Sequence, residues 1–342
     1  MSRIFSRSLP ASNAFRRCRA ASLLAVTWLL ASCGTPVVPA NVILNDAHSD
    51  GDSIAFSRDS ARLASGGMEG RIRLWRMPDG AAQGQWQAHD GPVQGLAFLE
   101  KDRVLLSTGH DATIAKWDIS GRLRVRRETP APITDIALDE SGNVLITGHT
   151  DGAVRSWRLS DLAPRQEWRI HSGAVDAVAY HARTRRFASS GAQVFIWRTD
   201  EKPRQLPTPP TEARELAFSP DGQWLTGGGW FNLFQWHVAD GALAVLPTEH
   251  NGIIKSIDYS ADGKTLATIS RLTDSSVYFL DPHTGAVQRR FQRHDLCGAR
   301  IRLSPNGQFL ASTSDDASVR IWDLAHPLPL QTKFDDRQKV SP

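Results

Sequence analysis

One aromatic position recurs along this chain with a period near forty residues. Trp75, Trp117, Trp157, Trp197, Trp236, Phe279 and Trp322 follow one another at intervals of 42, 40, 40, 39, 43 and 43 residues. Six of the seven are tryptophan in a chain that has eleven, so the spacing marks a repeated structural unit. Each unit has the same internal order. A short alternating apolar segment comes first, as in VQGLAF (93–98), ITDIAL (133–138) and VDAVAY (175–180). A turn such as SPDG, SADG or SPNG follows, built of residues that tolerate turn geometry and cap it with side-chain bonds. A second segment, VLLSTG (104–109) or FLASTS (309–314), leads to a third that ends on the aromatic, as in TIAKW and SVRIW. A fourth, less regular, runs toward His89, His171, His250 or His294. Four short strands per unit predict antiparallel sheet throughout, an all-β chain.

A lone four-stranded sheet of this size cannot bury both faces, so such units must stack. The tryptophan closing the third strand, followed by Asp in KWD (116–118) and IWD (321–323), resembles the WD-repeat β-propellers over residues 41–324. The resemblance implies a seven-bladed β-propeller of four-stranded antiparallel blades. Before His48 lies VILNDA (42–47), shaped like a fourth strand with no repeat ahead of it, whereas nothing after Trp322 makes a clear fourth strand. The N-terminal strand is therefore expected to close the ring, with LPLQTKF (328–334) competing for an edge.

Within that resemblance His89, Ser107, Asp111 and Trp117 match the family's structural tetrad, and His294, Ser312, Asp316 and Trp322 repeat it. In the family the Asp bonds the His, which reaches the Ser hydroxyl and then the indole N–H, so that four buried polar groups are paired. Ser, His and Asp also make catalytic triads, but duplication around a ring points to a scaffold role. Other units depart from the pattern. Glu69 replaces the acid in the first, TPAP replaces the His corner in the third beside Thr147 and Asp151, and SSGAQ shortens the fourth. The fifth carries PRQLPTPPTEA (203–213) and GGGW (227–230), and the sixth has Phe279 for tryptophan. These units are recognised by period and not by tetrad. Proline cannot donate to a ladder, so the outer strand within 203–213 is expected to be short or absent.

The net charge of +4 is misleading. Residues 1–32 hold Arg3, Arg7, Arg16, Arg17 and Arg19 with no acid, and without them 35 basic residues face 36 acidic ones. A nucleic-acid partner thereby loses its electrostatic support. The basic zone runs into AASLLAVTWLLA (20–31), twelve residues or about 18 Å of helix, too short to span a bilayer core and typical of an export signal. Leu30-Ala31-Ser32-Cys33 resembles a bacterial lipobox. That resemblance implies a signal peptide over 1–32, lipid attachment at Cys33, a lipidated linker over 33–40, and a C-terminal tail over 325–342. Gly34 rather than Asp after the cysteine implies the outer membrane, facing the periplasm. Cys297 is then left without an intramolecular partner and reads as a small packed residue.

Chemistry is sparse. GxxxxGK[ST], GxSxG, HExxH and CxxC are absent from the sequence, so no catalytic residue, metal or cofactor is expected. Trp86, Trp168, Trp224 and Trp230 could pack between blades or form a sugar or peptide platform. Where strands enter the ring, propellers of this kind often bind partners. Asp52, Gln94, Thr134, Asp176, Arg214 and Lys255 are expected on that face, joined by His110, Thr150 and Asp315 ahead of the tetrad acids. Its mixed charge favours a protein over a polyanion. The expected function is a lipid-anchored envelope scaffold for protein–protein interaction. The alternative is an enzyme or a small-molecule or cofactor binder in the central channel. That would require converging charged residues there, and none is evident in the varied inner positions.

Overall fold

The computed structural model describes residues 35–272 and 274–331. The leader over 1–32, Cys33 with its expected lipid, and residues 332–342 lie outside the described residues, as does the side chain of Asp52. Seven four-stranded antiparallel sheets make up the fold. In blade 1, strands a (Gly51–Phe56), b (Arg62–Gly67), c (Arg71–Arg76) and d (Ala82–Gln87) form a meander, buried in b and largely exposed in d. Blades 2 to 6 repeat it over residues 93–128, 133–169, 177–205, 215–247 and 253–291.

Blade 7 takes strands a to c from Gly298–Leu303, Phe309–Ser314 and Val319–Asp323, and its strand d is Val42–Leu44. Val42 stands opposite Ile321 and Leu44 opposite Val319. The chain thus fills the edge that its own end would leave open, removing a row of unpaired backbone groups. The described part of the tail does not compete for this edge. Gln331 pairs instead with Val37, further toward the N-terminus.

Each junction between neighbouring blades holds its own apolar cluster. Trp117 of blade 2 packs with Ile72 and Leu74 of blade 1, and Trp236 of blade 5 packs with Ile196 of blade 4. Trp197, Trp236 and Trp322 are almost fully buried. At about 25 cal/mol per Å², each such indole contributes about 4 to 6 kcal/mol of transfer free energy before entropy is counted. Strand d of blade 4 shrinks to Arg204–Gln205, because Pro203 and Pro207 flank it without N–H groups to donate.

The segment expected as a linker is packed from Val38 onward. Val38, Pro39 and Ala40 are buried. Val38 N–H donates to Arg290 O at 2.9 Å, and Val38 O accepts from Gln292 N–H at 2.9 Å.

Candidate functional site

The polar clusters come first, because they decide whether His, Ser and Asp are available for chemistry. In blade 2, His89 Nδ1–H donates to Asp111 at 3.0 Å, and His89 Nε2 accepts from Ser107 O–H at 2.7 Å. Trp117 N–H then donates to Ser107 Oγ at 2.8 Å. Ser107 is fully buried and its hydroxyl is held between His89 and the Trp117 indole, so a substrate has no path to it. Burial alone would raise the Asp111 carboxyl, but the bond and charge of His89 outweigh it and hold it at about 2.

Two irregular units turn out to be complete networks. In blade 1 the longer Glu69 reaches His48 at 2.7 Å, His48 bonds Ser65 at 2.7 Å, and Trp75 N–H donates to Ser65 at 2.8 Å. In blade 3 the imidazole comes from the strand itself. His149 Nε2 accepts from Thr147 O–H at 2.7 Å, His149 Nδ1–H donates to Ala131 O at 2.8 Å, and Trp157 N–H donates to Thr147 at 2.8 Å. Asp151, freed from a corner histidine, pairs with Arg155. Burial drives His149 down to about 4.

Blade 7 departs from the expected tetrad. His294 bonds Asp316 at 3.0 Å and Ser312 at 2.7 Å, but Trp322 N–H donates to Val38 O at 3.2 Å. The N-terminal segment lies over this blade and supplies the acceptor, much as Pro207 O accepts from Trp236 N–H in blade 5 at 2.9 Å. In blade 4 His171 keeps its bond to Ser189 at 2.8 Å, but its Nδ1 and the Trp197 N–H have no hydrogen-bond partner.

The face at the strand entrances is built by a regular device. In a meander the b–c turns and d–a connections share one end. Here the N–H groups of Met68, His110, Thr150 and Asp315 donate to Asp50, Pro92, Pro132 and Cys297 carbonyls, at 2.9 to 3.1 Å. The ladder between strands a and b skips Asp52, Gln94, Thr134 and Lys255 in blades 1, 2, 3 and 6. A bulge of this kind re-aims one residue out of the sheet. Asp176 and Arg214 stand just ahead of their strands and pair at 2.9 Å across blades 4 and 5. Burial pushes the Asp176 carboxyl up against the pull of Arg214. Asp315 pairs with Arg271 at 2.7 Å, joining the b–c turns of blades 6 and 7.

Sequence reasoning missed the apolar part of this face. Met68, Phe231, Leu272 and Leu296 are 44%, 48%, 51% and 55% exposed. The first three sit in b–c turns of blades 1, 5 and 6, and Leu296 in the connection entering blade 7, so they form one arc over blades 5, 6, 7 and 1. Trp230 adds to it, 5.5 Å from Phe231. Apolar residues in turns that are otherwise polar were the available signal. The other tryptophans serve packing. Trp86 meets Trp117 at 6.0 Å, Trp168 meets Trp197 at 5.4 Å, and Trp224 meets His237 at 5.0 Å.

Around the axis the expectation of unconverged inner positions is corrected. Arg300 of blade 7 donates to Glu215 of blade 5 at 2.7 Å and to Asp135 of blade 3 at 3.3 Å. All three are at most 6% exposed. Asp135 also accepts from Val178 N–H at 2.9 Å, and Asp258 from Leu303 N–H at 2.7 Å. These charges satisfy one another and tie non-adjacent blades together. A cavity of about 200 Å³ remains beside them, between the inner strands of blades 1, 2, 3 and 7. Among the described residues no group of three or more His, Cys, Asp or Glu is placed to hold a metal ion.

The model of the WD domain, G-beta repeat, matches residues 42–76, 80–118, 123–158 and 274–323. These four stretches are WD40 repeats. The unmatched stretch between 158 and 274 holds blades 4 and 5 and the first two strands of blade 6, including the blade in which His171 Nδ1 has no partner. Similar proteins include periodic tryptophan protein 2 of Arabidopsis thaliana, 22% identical over 74% of this chain and 24% of its own length. Human striatin-4 is 23% identical over 74% of this chain and 38% of its own. DDB1- and CUL4-associated factor 13 of Xenopus tropicalis is 23% identical over 81% and 65%. This WD40 chain therefore spans less than two thirds of the length of each of these relatives.

Proposed function

We propose that this WD40 propeller is a docking scaffold of a bacterial envelope, held through lipid at Cys33 to the outer membrane and facing the periplasm. The observation that carries the docking role is the arc of Met68, Phe231, Leu272 and Leu296 on the loop face, flanked by the Asp176–Arg214 and Arg271–Asp315 pairs. Exposed apolar side chains with an aromatic pair at one end and charged pairs beside them have the composition of a protein-binding patch. One relative is named for association with other proteins, DDB1 and CUL4. The channel is the weaker place for chemistry, because Arg300, Glu215 and Asp135 spend their charges on each other. The address rests on the three-zone leader and the lipobox-like Leu30-Ala31-Ser32-Cys33.

Docking is tested with a photo-crosslinking amino acid at Leu272 or Lys255, and at Lys264 in the opposite a–b turn as control. One common partner from the first two positions, lost in Phe231→Asp, supports the scaffold; equal capture from all three, or none, refutes it. Anchoring is tested by the mature mass and detergent partitioning of wild type against Cys33→Ala. A wild-type chain that keeps its leader and stays in the aqueous phase refutes the address.

A further inference from the structure

The described chain has no slack at its N-terminal end. Val37 exchanges two backbone bonds with Gln331, at 3.1 and 3.0 Å. Val38 is fixed to Arg290, Gln292 and Trp322, and Ala40 N–H donates to the Gln292 side chain at 3.0 Å. All these partners lie on the outer side of blade 6, on blade 7 or in the tail. From Cys33 to Val37, the first residue held by backbone bonds, is four peptide links, at most about 14 Å of chain. A lipid on Cys33 is thus tied to one sector of the ring by a short tether.

That sector has the surface a bilayer would meet. A groove of about 490 Å³ runs between Pro36, Val38, Arg289 and the tail residues Pro327, Leu328, Pro329 and Leu330. Leu328 is 41% exposed and Leu330 61%. Pro327 and Pro329 carry no N–H, so this stretch of backbone brings fewer donors that would need water. Arg289, exposed on the outer strand of blade 6, is placed for lipid phosphates, whereas Arg290 is committed to Glu249.

We propose that the Pro327–Leu330 stretch and the groove beneath it seat on the anchoring bilayer, with Leu328 and Leu330 in the headgroup–acyl boundary. Side chains in this position sit about 5 to 10 Å into that boundary. The ring then stands on its outer edge at blades 6 and 7, and both of its flat faces remain clear of lipid. The inference rests on the lipid anchor at Cys33 proposed above.

The experiment uses the full chain expressed with its leader, extracted and reconstituted into phosphatidylethanolamine–phosphatidylglycerol vesicles that carry a doxyl-labelled lipid. In a Cys297→Ser background an environment-sensitive fluorophore is placed at Leu330→Cys. The comparison is Leu123→Cys, an exposed leucine on the outer strand of blade 2. Vesicle flotation and fluorescence are read on the same sample. The expected result is a protein that floats, with loss of emission at position 330 and unchanged emission at 123. A floating protein with neither probe quenched, or both equally, overturns the seating and leaves the anchor standing. A protein that does not float overturns both.

Discussion

Trp322 and Val38 are 284 positions apart in sequence, and the indole N–H of one donates to the carbonyl oxygen of the other at 3.2 Å. In blades 1, 2 and 3 the corresponding indole bonds a Ser or Thr of its own blade. The last blade therefore depends on the start of the chain both for its outer strand and for the partner of its tryptophan.

Deleting residues 41–47 should remove that strand and uncover the edge of Val319–Asp323. The loss of three paired residues and of Val42, Leu44 and Ala47 from the junction of blades 7 and 1 is expected to cost about 3 to 5 kcal/mol. A calorimetric melting temperature lowered by about 5 to 8 °C would follow. An unchanged melt would show that another segment can close the ring.

Asp111→Ala removes the carboxylate from the buried Nδ1–H of His89, leaving only the Thr113 hydroxyl at 2.9 Å, and should destabilise by about 1 to 3 kcal/mol. Glu69→Ala should do the same to His48 in blade 1, since the longer acid makes the same bond. Urea midpoints for both variants decide the matter. If Glu69→Ala is silent, the blade 1 network adds nothing.

Stability should fall on acidification in two windows. Burial holds His149 and His171 at about 4, below the usual imidazole value of about 6.5. Between those values the unfolded chain binds the protons and the folded chain does not, so stability is complete above pH 6.5 and declines toward pH 4. At 1.36 kcal/mol per unit the loss is about 3 kcal/mol for each histidine. Glu69 and Asp111, held at about 2, add a second loss as pH falls from about 4 through 2. Urea midpoints at pH 7, 5.5 and 4 read the first window, and His149→Gln should flatten it by roughly half.

Arg300→Met leaves buried Asp135 without its cation and Glu215 with only the more distant Arg302, at 3.9 Å, and should cost about 3 to 5 kcal/mol. Adding Asp135→Asn and Glu215→Gln removes the stranded charges and should recover most of it. A triple variant no more stable than the single one would mean that the arginine acts through packing rather than charge.

What was legible in the sequence followed local periodicity. The period located each blade because one aromatic must fill each junction, and the two full His–Asp spacings marked blades 2 and 7. The blade 3 network escaped because its imidazole stands two residues after Thr147 on the same strand and not at a corner. Glu69 was read as a defect, although one more methylene simply carries the carboxylate to His48. Asp135, Glu215 and Arg300 could not be linked from sequence, being 80 and 85 residues apart and meeting only after the ring closes. The exposed turn residues Met68, Phe231 and Leu272 were legible in principle, as apolar interruptions of polar turns.

Closure by Val42–Leu44 also sets an order in time. During synthesis this strand emerges first, yet its partner around Ile321 lies 279 residues later. At about 5 to 20 residues per second, it waits on the order of tens of seconds with its backbone unpaired. Six blades can form as they appear, but the seventh is assembled from the oldest and the newest parts of the chain. A product truncated before Val319 therefore lacks the partner of its first strand and leaves that edge unpaired.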